Sequence, residues 1–237
     1  MITVGPRPDS IDPLLRRPFS IYNLPGDEPD GPRALQIFFK VLGRGSELLS
    51  RSRIGDSVRC LAPLGNGFSP GRDTGSRLLL VAGGVGAASL HPLALSEIRD
   101  GGDPLMLYGC RTRDDLAGVR PTLSAGIEVS VATDDGSAGR RGLVTDLLDQ
   151  FLRDEGPANL HRWVICACGP MPMLRSTAEV ARRHGVTCHV SLESPMACGF
   201  GVCVGCVVGT RETAQSPLRY RRICMDGPVF DASTVCW

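Results

Sequence analysis

The chain has 237 residues, of which 42% are hydrophobic and 22% charged, and a formal net charge of +1. That length suffices for one large domain or two modest ones with their own cores. The balanced charge leaves no electrostatic footprint for nucleic acid or acidic lipid, and apolar runs such as 78–82 fall far short of the about 20 residues that a membrane span needs. The opening MITVGPRPDSIDPLL has no basic stretch leading into an apolar one, so no secretory leader is recognised and a cytoplasmic location is expected.

Residues 1–70 read as short strands broken by Pro and Gly: ITV, RPFSIY, ALQIFFKVLG and DSVRCLAPLG, with NLPGDEPDGPR between the second and third. Many short strands with turn signals predict a small antiparallel barrel. SPGRDTGS at 69–76 reads as a linker. From Arg77 the pattern changes. Apolar runs at 78–82, 104–109, 128–133, 163–168 and 188–192 are interspersed with helical stretches such as 143–154 and 173–185, which predicts a doubly wound parallel sheet. Residues 193–237 are too few for a layered domain and are expected to fold around a metal.

Of the ten cysteines, Cys60, Cys110, Cys166 and Cys188 lie in strand-like runs and read as small buried hydrophobes. The dense group is ESPMACGFGVCVGCVVG. Cys198, Cys203 and Cys206 have C-x4-C-x2-C spacing, and 17 residues separate Cys206 from Cys224. This is the plant-type [2Fe-2S] arrangement. Gly199, Gly201 and Gly205 would let the backbone turn its N–H groups toward a bulky anionic cluster. A four-cysteine zinc site also uses four thiolates, but it more often spaces them as two separate knuckles.

RRPFSIY at 16–22 reads plainly as a strand with a basic start. A functional reading has Arg17 neutralising a pyrophosphate and Ser20 hydrogen-bonding a flavin. GRGSELL at 43–49 adds Gly45 and Ser46 at the opening of a helix-like stretch. VAGGVGAAS at 81–89 places Gly83, Gly84 and Gly86 after a strand and before a helix, as a dinucleotide turn requires, although Ser89 replaces the third fingerprint glycine. It can also be an ordinary strand-to-helix turn. CGPMPM at 168–173 ends a later strand of the same sheet, so both turns are expected at the edge where such sheets bind ligands. Cys168 there can equally be a buried thiol without a role. His91, His161, His184 and His189 pair with no nucleophile, TDDGSAGRRG at 133–142 reads as a loop, and neither a catalytic triad nor paired carboxylates is seen. Electron transfer is the chemistry left.

In order, RRPFSIY, GRGSELL, APLGNGF, VAGGVGAAS, ATDDGSAGRRG, CACGPMPM and LESPMACGFGVCVGC with RRICMDGPVFD closely resemble the electron-transfer subunits of NAD-dependent dihydroorotate dehydrogenase, in the ferredoxin reductase superfamily. The resemblance runs from about Arg16 to Val235. It implies an FAD-binding barrel over 1–72, an NAD-binding α/β domain over 73–192 and a [2Fe-2S] domain over 193–237. It also implies a heterotetramer with a catalytic subunit that carries FMN, whose electrons would pass through the cluster and FAD to NAD⁺ in pyrimidine biosynthesis. Carried over, the flavin site comprises Arg17, Pro18, Phe19 and Ser20, then Phe38, Phe39 and Lys40 on the next strand, then Gly45 and Ser46. The nicotinamide nucleotide site comprises Gly83, Gly84, Gly86, Cys168, Gly169 and Pro170. The ligands are Cys198, Cys203, Cys206 and Cys224. The family commonly has proline where this chain has Ser89. Only 16 residues precede Arg17, so the first barrel strands are expected to be missing, with either a start upstream of Met1 or poor flavin retention. Two alternatives remain at this point: a related flavin and iron-sulfur oxidoreductase subunit of the ferredoxin, sulfide or hydrogenase type, and a zinc-stabilised binding module.

Overall fold

The computed structural model describes residues 1–5, 10–25, 34–70 and 75–237. The middle of the expected 69–76 linker, the boundary expected at 72/73 and most of the 23–33 connection lie outside the described residues. The N-terminal part is antiparallel, with β1 (Ile2–Val4) between β2 (Arg17–Phe19) and β3 (Cys60–Leu61). α1 (Arg44–Ser50) lies between β2 and β3 in the chain.

The run at 34–43 forms no strand. It makes only an isolated bridge between Gln36 and Asn23. Its aromatic and branched residues have strand propensity, but a strand needs a neighbour to pair with, and Leu35, Val41 and Leu42 are exposed. Cys60 is exposed as well, against expectation, because β3 is a two-residue edge strand with both residues open to solvent.

The main sheet follows the expected layout. β4 (Arg77–Gly83) leads through α2 (Ala87–Arg99) to β5 (Leu105–Cys110), and α3 (Arg120–Ser124) leads to β6 (Glu128–Thr133) and the short β7 (Arg140–Arg141). α4 (Val144–Glu155), β8 (Trp163–Cys168), α5 (Met171–His184) and β9 (Thr187–Ser191) complete the parallel part. After β10 (Val207–Thr210) and β11 (Arg219–Arg222), β12 (Val229–Asp231) returns to pair antiparallel with β9. The strand order is β12-β9-β8-β4-β5-β6-β7.

Alternation along β4 divides the core. Leu79 and Val81 face one side with Leu148, Leu152 and Leu174 from α4 and α5, while Leu78 and Leu80 face the other with Leu90 and Ala94 from α2. Each fully buried leucine is worth about 1.5–3 kcal/mol, so burial on both faces holds the strands in register. Cys206, Ile223, Cys224, Ala232 and Val235 join the α4/α5 side of this core. The C-terminal segment is therefore an extension of the sheet and its core, which its length did not suggest.

The N-terminal part is tied to both other regions. Tyr22 stacks on His91 of α2 at 4.7 Å and lies 5.8 Å from Phe38. Asn66 donates from its backbone to Gly227 and from its side chain to the Met225 carbonyl, at 2.6 and 2.9 Å. Among the described residues no helix is long and apolar enough to cross a membrane.

Candidate functional site

The four cysteines form two pairs, and the local backbone explains both. β10 and β11 run antiparallel with Val207 opposite Arg222, so the flanking residues Cys206 and Cys224 meet at the hairpin's open end. Ile223 donates its backbone N–H to the Cys206 carbonyl at 2.8 Å, and Cys224 donates its own to Cys206 Sγ at 3.5 Å. The other pair belongs to the glycine-rich loop. Gly199 and Gly201 turn the chain with φ of +80° and +90°, and Cys203 N–H then reaches Cys198 Sγ at 3.5 Å. The Arg222 guanidinium holds the loop to the hairpin by donating to the Gly201 carbonyl at 3.3 Å.

The electrostatics of the pairs differ. Burial pushes the Cys198 thiol up, but N–H groups of Cys203, Phe200 and Val202 aimed at its sulfur outweigh this and bring it down to about 6. Burial, followed by the neighbouring Cys206 sulfur, pushes Cys224 up to about 11. Cys206 and Cys224 are buried, and Cys203 is exposed. Among the described residues no three His, Cys, Asp or Glu side chains converge on a single-ion position. Two pairs of sulfurs with inward N–H groups suit a two-iron cluster with two thiolates per iron better than one tetrahedral zinc.

A second site is a cleft of about 360 Å³ between the N-terminal sheet and α1, lined by Arg17, Phe19, Gly45 and Arg44 among others. Gly45 lies against the Arg17 side chain, which a Cβ there would meet at 2.9 Å from Cγ. Arg17 donates to the Leu15 and Arg16 carbonyls at 2.7 and 3.3 Å. Pro18 sits between Arg17 and Phe19 in β2, paired with Thr3 of β1. Phe39 packs edge-on against Phe19 at 5.3 Å. The others are placed differently from a shared strand: the Phe38 ring lies beside Gly118, and Lys40 is exposed and outside any helix or strand. Ser46 closes its own helix, accepting from the N–H groups of Leu42 and Gly43 at 3.0 and 3.1 Å. Sequence reading missed Arg44 and Asp12, which face this cleft as an ion pair at 2.7 Å. The Arg44–Gly45 dipeptide was the available signal.

The third site is the crevice between the ends of β4 and β8. These strands pair in parallel up to Ala82 and Cys168, and chain order reverses there, since β5 and β6 lie on one side and β8 and β9 on the other. Such a switch point opens a ligand crevice at the strands' carboxyl ends. Gly83 ends β4, Gly84 and Gly86 bound a single turn of 3₁₀-helix, and Cys168, Gly169 and Pro170 lead into α5. A Cβ at Gly86 would come within 2.2 Å of the Cys168 carbonyl oxygen, so only glycine permits this approach. Cys168 is buried, and burial pushes its thiol up to about 11 even though Ser89 hydrogen-bonds to it. The link from Cys168 to Ser89 and on to Ser20 was invisible in the sequence, because it joins residues 79 and 69 positions apart.

Together these features define a flavin- and nicotinamide-linked oxidoreductase of the ferredoxin-reductase fold with an appended cysteine-rich iron-sulfur segment. Residues 193–236 match the family model of the iron-sulfur cluster binding domain of dihydroorotate dehydrogenase B. The electron transfer subunit homologue of dihydroorotate dehydrogenase B (NAD(+)) from Aquifex aeolicus is 37% identical over 228 residues, covering 96% of this chain and 81% of that one. The corresponding subunit from Bacillus caldolyticus is 40% identical over 229 residues, covering 95% and 82%. The chain belongs to the family of dihydroorotate dehydrogenase B (NAD(+)) electron transfer subunits. Among solved structures, an NADH-dependent reduced ferredoxin–NADP oxidoreductase superposes with a TM-score of 0.81 at 28% identity, over 100% of this chain and 78% of that one. The ferredoxin reductase of carbazole 1,9a-dioxygenase gives 0.60 at 27%, over 78% and 55%.

Proposed function

We propose that the chain passes electrons from the FMN of a dihydroorotate dehydrogenase catalytic subunit through a [2Fe-2S] cluster and FAD to NAD⁺, in pyrimidine biosynthesis. The observation that carries this reading is the position of the N-terminal sheet. On one side, Thr3 of β1 packs where a Cβ on Gly199 of the cysteine loop would lie, 2.5 Å from its Cγ2. On the other, Ser20 beyond β2 meets Ser89 of the glycine-rich turn at 2.6 Å. A flavin held on this sheet would have the cysteine loop on one side and the glycine-rich turn on the other, in the order that the electron count demands. When bound, the cluster handles single electrons and the flavin exchanges either single electrons or a hydride.

The chain's residues have separable tasks in this reading. Cys198, Cys203, Cys206 and Cys224 would hold the cluster, while the loop N–H groups would offset the charge on sulfur. Arg17, assisted by Arg44, neutralises the FAD pyrophosphate in the cleft. Pro18, Phe19 and Ser20 flank the flavin, Gly45 leaves room beside it, and Phe39 backs Phe19. Gly83, Gly84 and Gly86, with Cys168, Gly169 and Pro170, admit the dinucleotide. The three sites fall in segments 1–72, 73–192 and 193–237, the last packed into the core of the second, and work in the cytoplasm as part of a heterotetramer with the catalytic subunit.

Anaerobic titration with NADH tests the reading. Bleaching of a flavin band followed by the paramagnetic signal of a reduced [2Fe-2S] centre is expected, whereas a colourless, zinc-containing protein would refute it. A second reading, exchange with reduced ferredoxin, is favoured by the 0.81 TM-score to the ferredoxin–NADP oxidoreductase. NAD⁺ reduction by the chain with reduced ferredoxin as electron donor, compared with the catalytic subunit and dihydroorotate as donor, separates the two.

A further inference from the structure

We propose that Ser89 is a positioning residue that bridges Ser20 and Cys168 and thereby aims the Ser20 hydroxyl into the seam between the flavin and nicotinamide sites. The inference rests on the flavin-site reading above and extends it to a residue that follows the glycine-rich turn. Ser89 lies in the first turn of α2. Its hydroxyl is 2.6 Å from Ser20 Oγ, which belongs to the N-terminal part, and 3.4 Å from Cys168 Sγ at the end of β8. One side chain thus ties together the three elements that converge at this crevice.

Donor and acceptor counting gives the bridge a direction. The Cys168 thiol is 1% exposed and, with burial pushing it up to about 11, it stays protonated at neutral pH. It is then a donor to Ser89 Oγ at 3.4 Å, with Ser191 and the Gly169 backbone also hydrogen-bonded to the sulfur. The single Ser89 proton is free for Ser20 Oγ, which leaves the Ser20 proton for an acceptor outside the trio. Removal of the Ser89 hydroxyl frees Ser20 to rotate, while the buried thiol keeps Ser191 as a partner and the cleft that holds the rest of the flavin is untouched.

The test is a double-substitution cycle on the full chain, reading the FAD dissociation constant and the visible absorption envelope of bound flavin for Ser20→Ala, Ser89→Ala, the double variant and Ser89→Thr. Loss of one neutral hydrogen bond predicts that Ser89→Ala raises the dissociation constant about fivefold and shifts the envelope in the direction that Ser20→Ala does. If Ser89 acts through Ser20, the double variant goes no further than Ser20→Ala, and Ser89→Thr, which keeps the hydroxyl, restores the parent values. Additive effects, a Ser89→Ala protein indistinguishable from the parent, or a threonine variant as impaired as alanine would each overturn the inference. A parent chain that holds no flavin would overturn the flavin-site reading itself, and this inference with it.

Discussion

Replacement of Gly86 by alanine tests the crevice at its tightest point. The new Cβ would lie 2.2 Å from the Cys168 carbonyl oxygen and 2.8 Å from Gly169 N, where ordinary contact begins at 3.4 Å. Both obstacles are backbone, so the end of β8 or the start of α2 has to withdraw by about 1 Å in a close-packed interior. Overpacking of this kind costs about 1–3 kcal/mol, and the upper end applies because no flexible side chain can yield. For a chain of this size about 3 kcal/mol lowers Tm by about 6–12 °C. Gly67 is the control: it has open space around it and no left-handed φ, so Gly67→Ala should be neutral or stabilise by about 0.4–1 kcal/mol through the unfolded state. Differential scanning calorimetry with parallel titration of NAD⁺ and NADH is the assay. Gly86→Ala should melt lower and bind both nucleotides more weakly. A variant that melts within about 1 °C of the parent with unchanged nucleotide binding would refute the close apposition of the two turns.

Three further substitutions address the other sites. Cys203→Ser should remove a thiolate and abolish or greatly destabilise the cluster, as read by iron and acid-labile sulfide, whereas Cys236→Ser, outside both pairs, should leave both counts unchanged. Arg17→Ala should weaken FAD retention by about 1.5–3 kcal/mol, roughly 10- to 150-fold in Kd, with much less effect on NAD⁺; equal loss of both would point to misfolding. His91 is held below its usual range by burial, so the unfolded chain takes up its proton first as pH falls. Its contribution to stability is therefore intact above about pH 6.5 and declines as pH drops through that value. His91→Gln should flatten the slope of Tm against pH between about 7 and 5, and an unchanged slope would refute the assignment.

Legibility in the sequence followed the range of the interactions. The pairing of the cysteines was readable from spacing because one loop sets Cys198 beside Cys203 and one hairpin sets Cys206 beside Cys224. The parallel strands were readable because Leu78–Ala82 and Trp163–Cys168 are buried on both faces and so are continuously apolar. The run at 34–43 misled for the complementary reason: Phe38 and Phe39 have strand propensity, yet they pack against Tyr22 and Phe19 without a ladder. β12 could not be read, since three residues carry little pattern and their partner β9 lies about forty positions earlier. Cys60 looked like a core residue by composition and is exposed because its strand lies at an edge. The Ser20–Ser89–Cys168 link depends on tertiary proximity alone.

The most direct measurement of the central claim is reconstitution with a dihydroorotate dehydrogenase catalytic subunit containing FMN. The account predicts NAD⁺ reduction that depends on dihydroorotate and on both subunits, and that Cys203→Ser abolishes while the catalytic subunit alone still oxidises dihydroorotate with an artificial acceptor. NADH formation driven only by reduced ferredoxin, or undiminished in the Cys203→Ser protein, would contradict it.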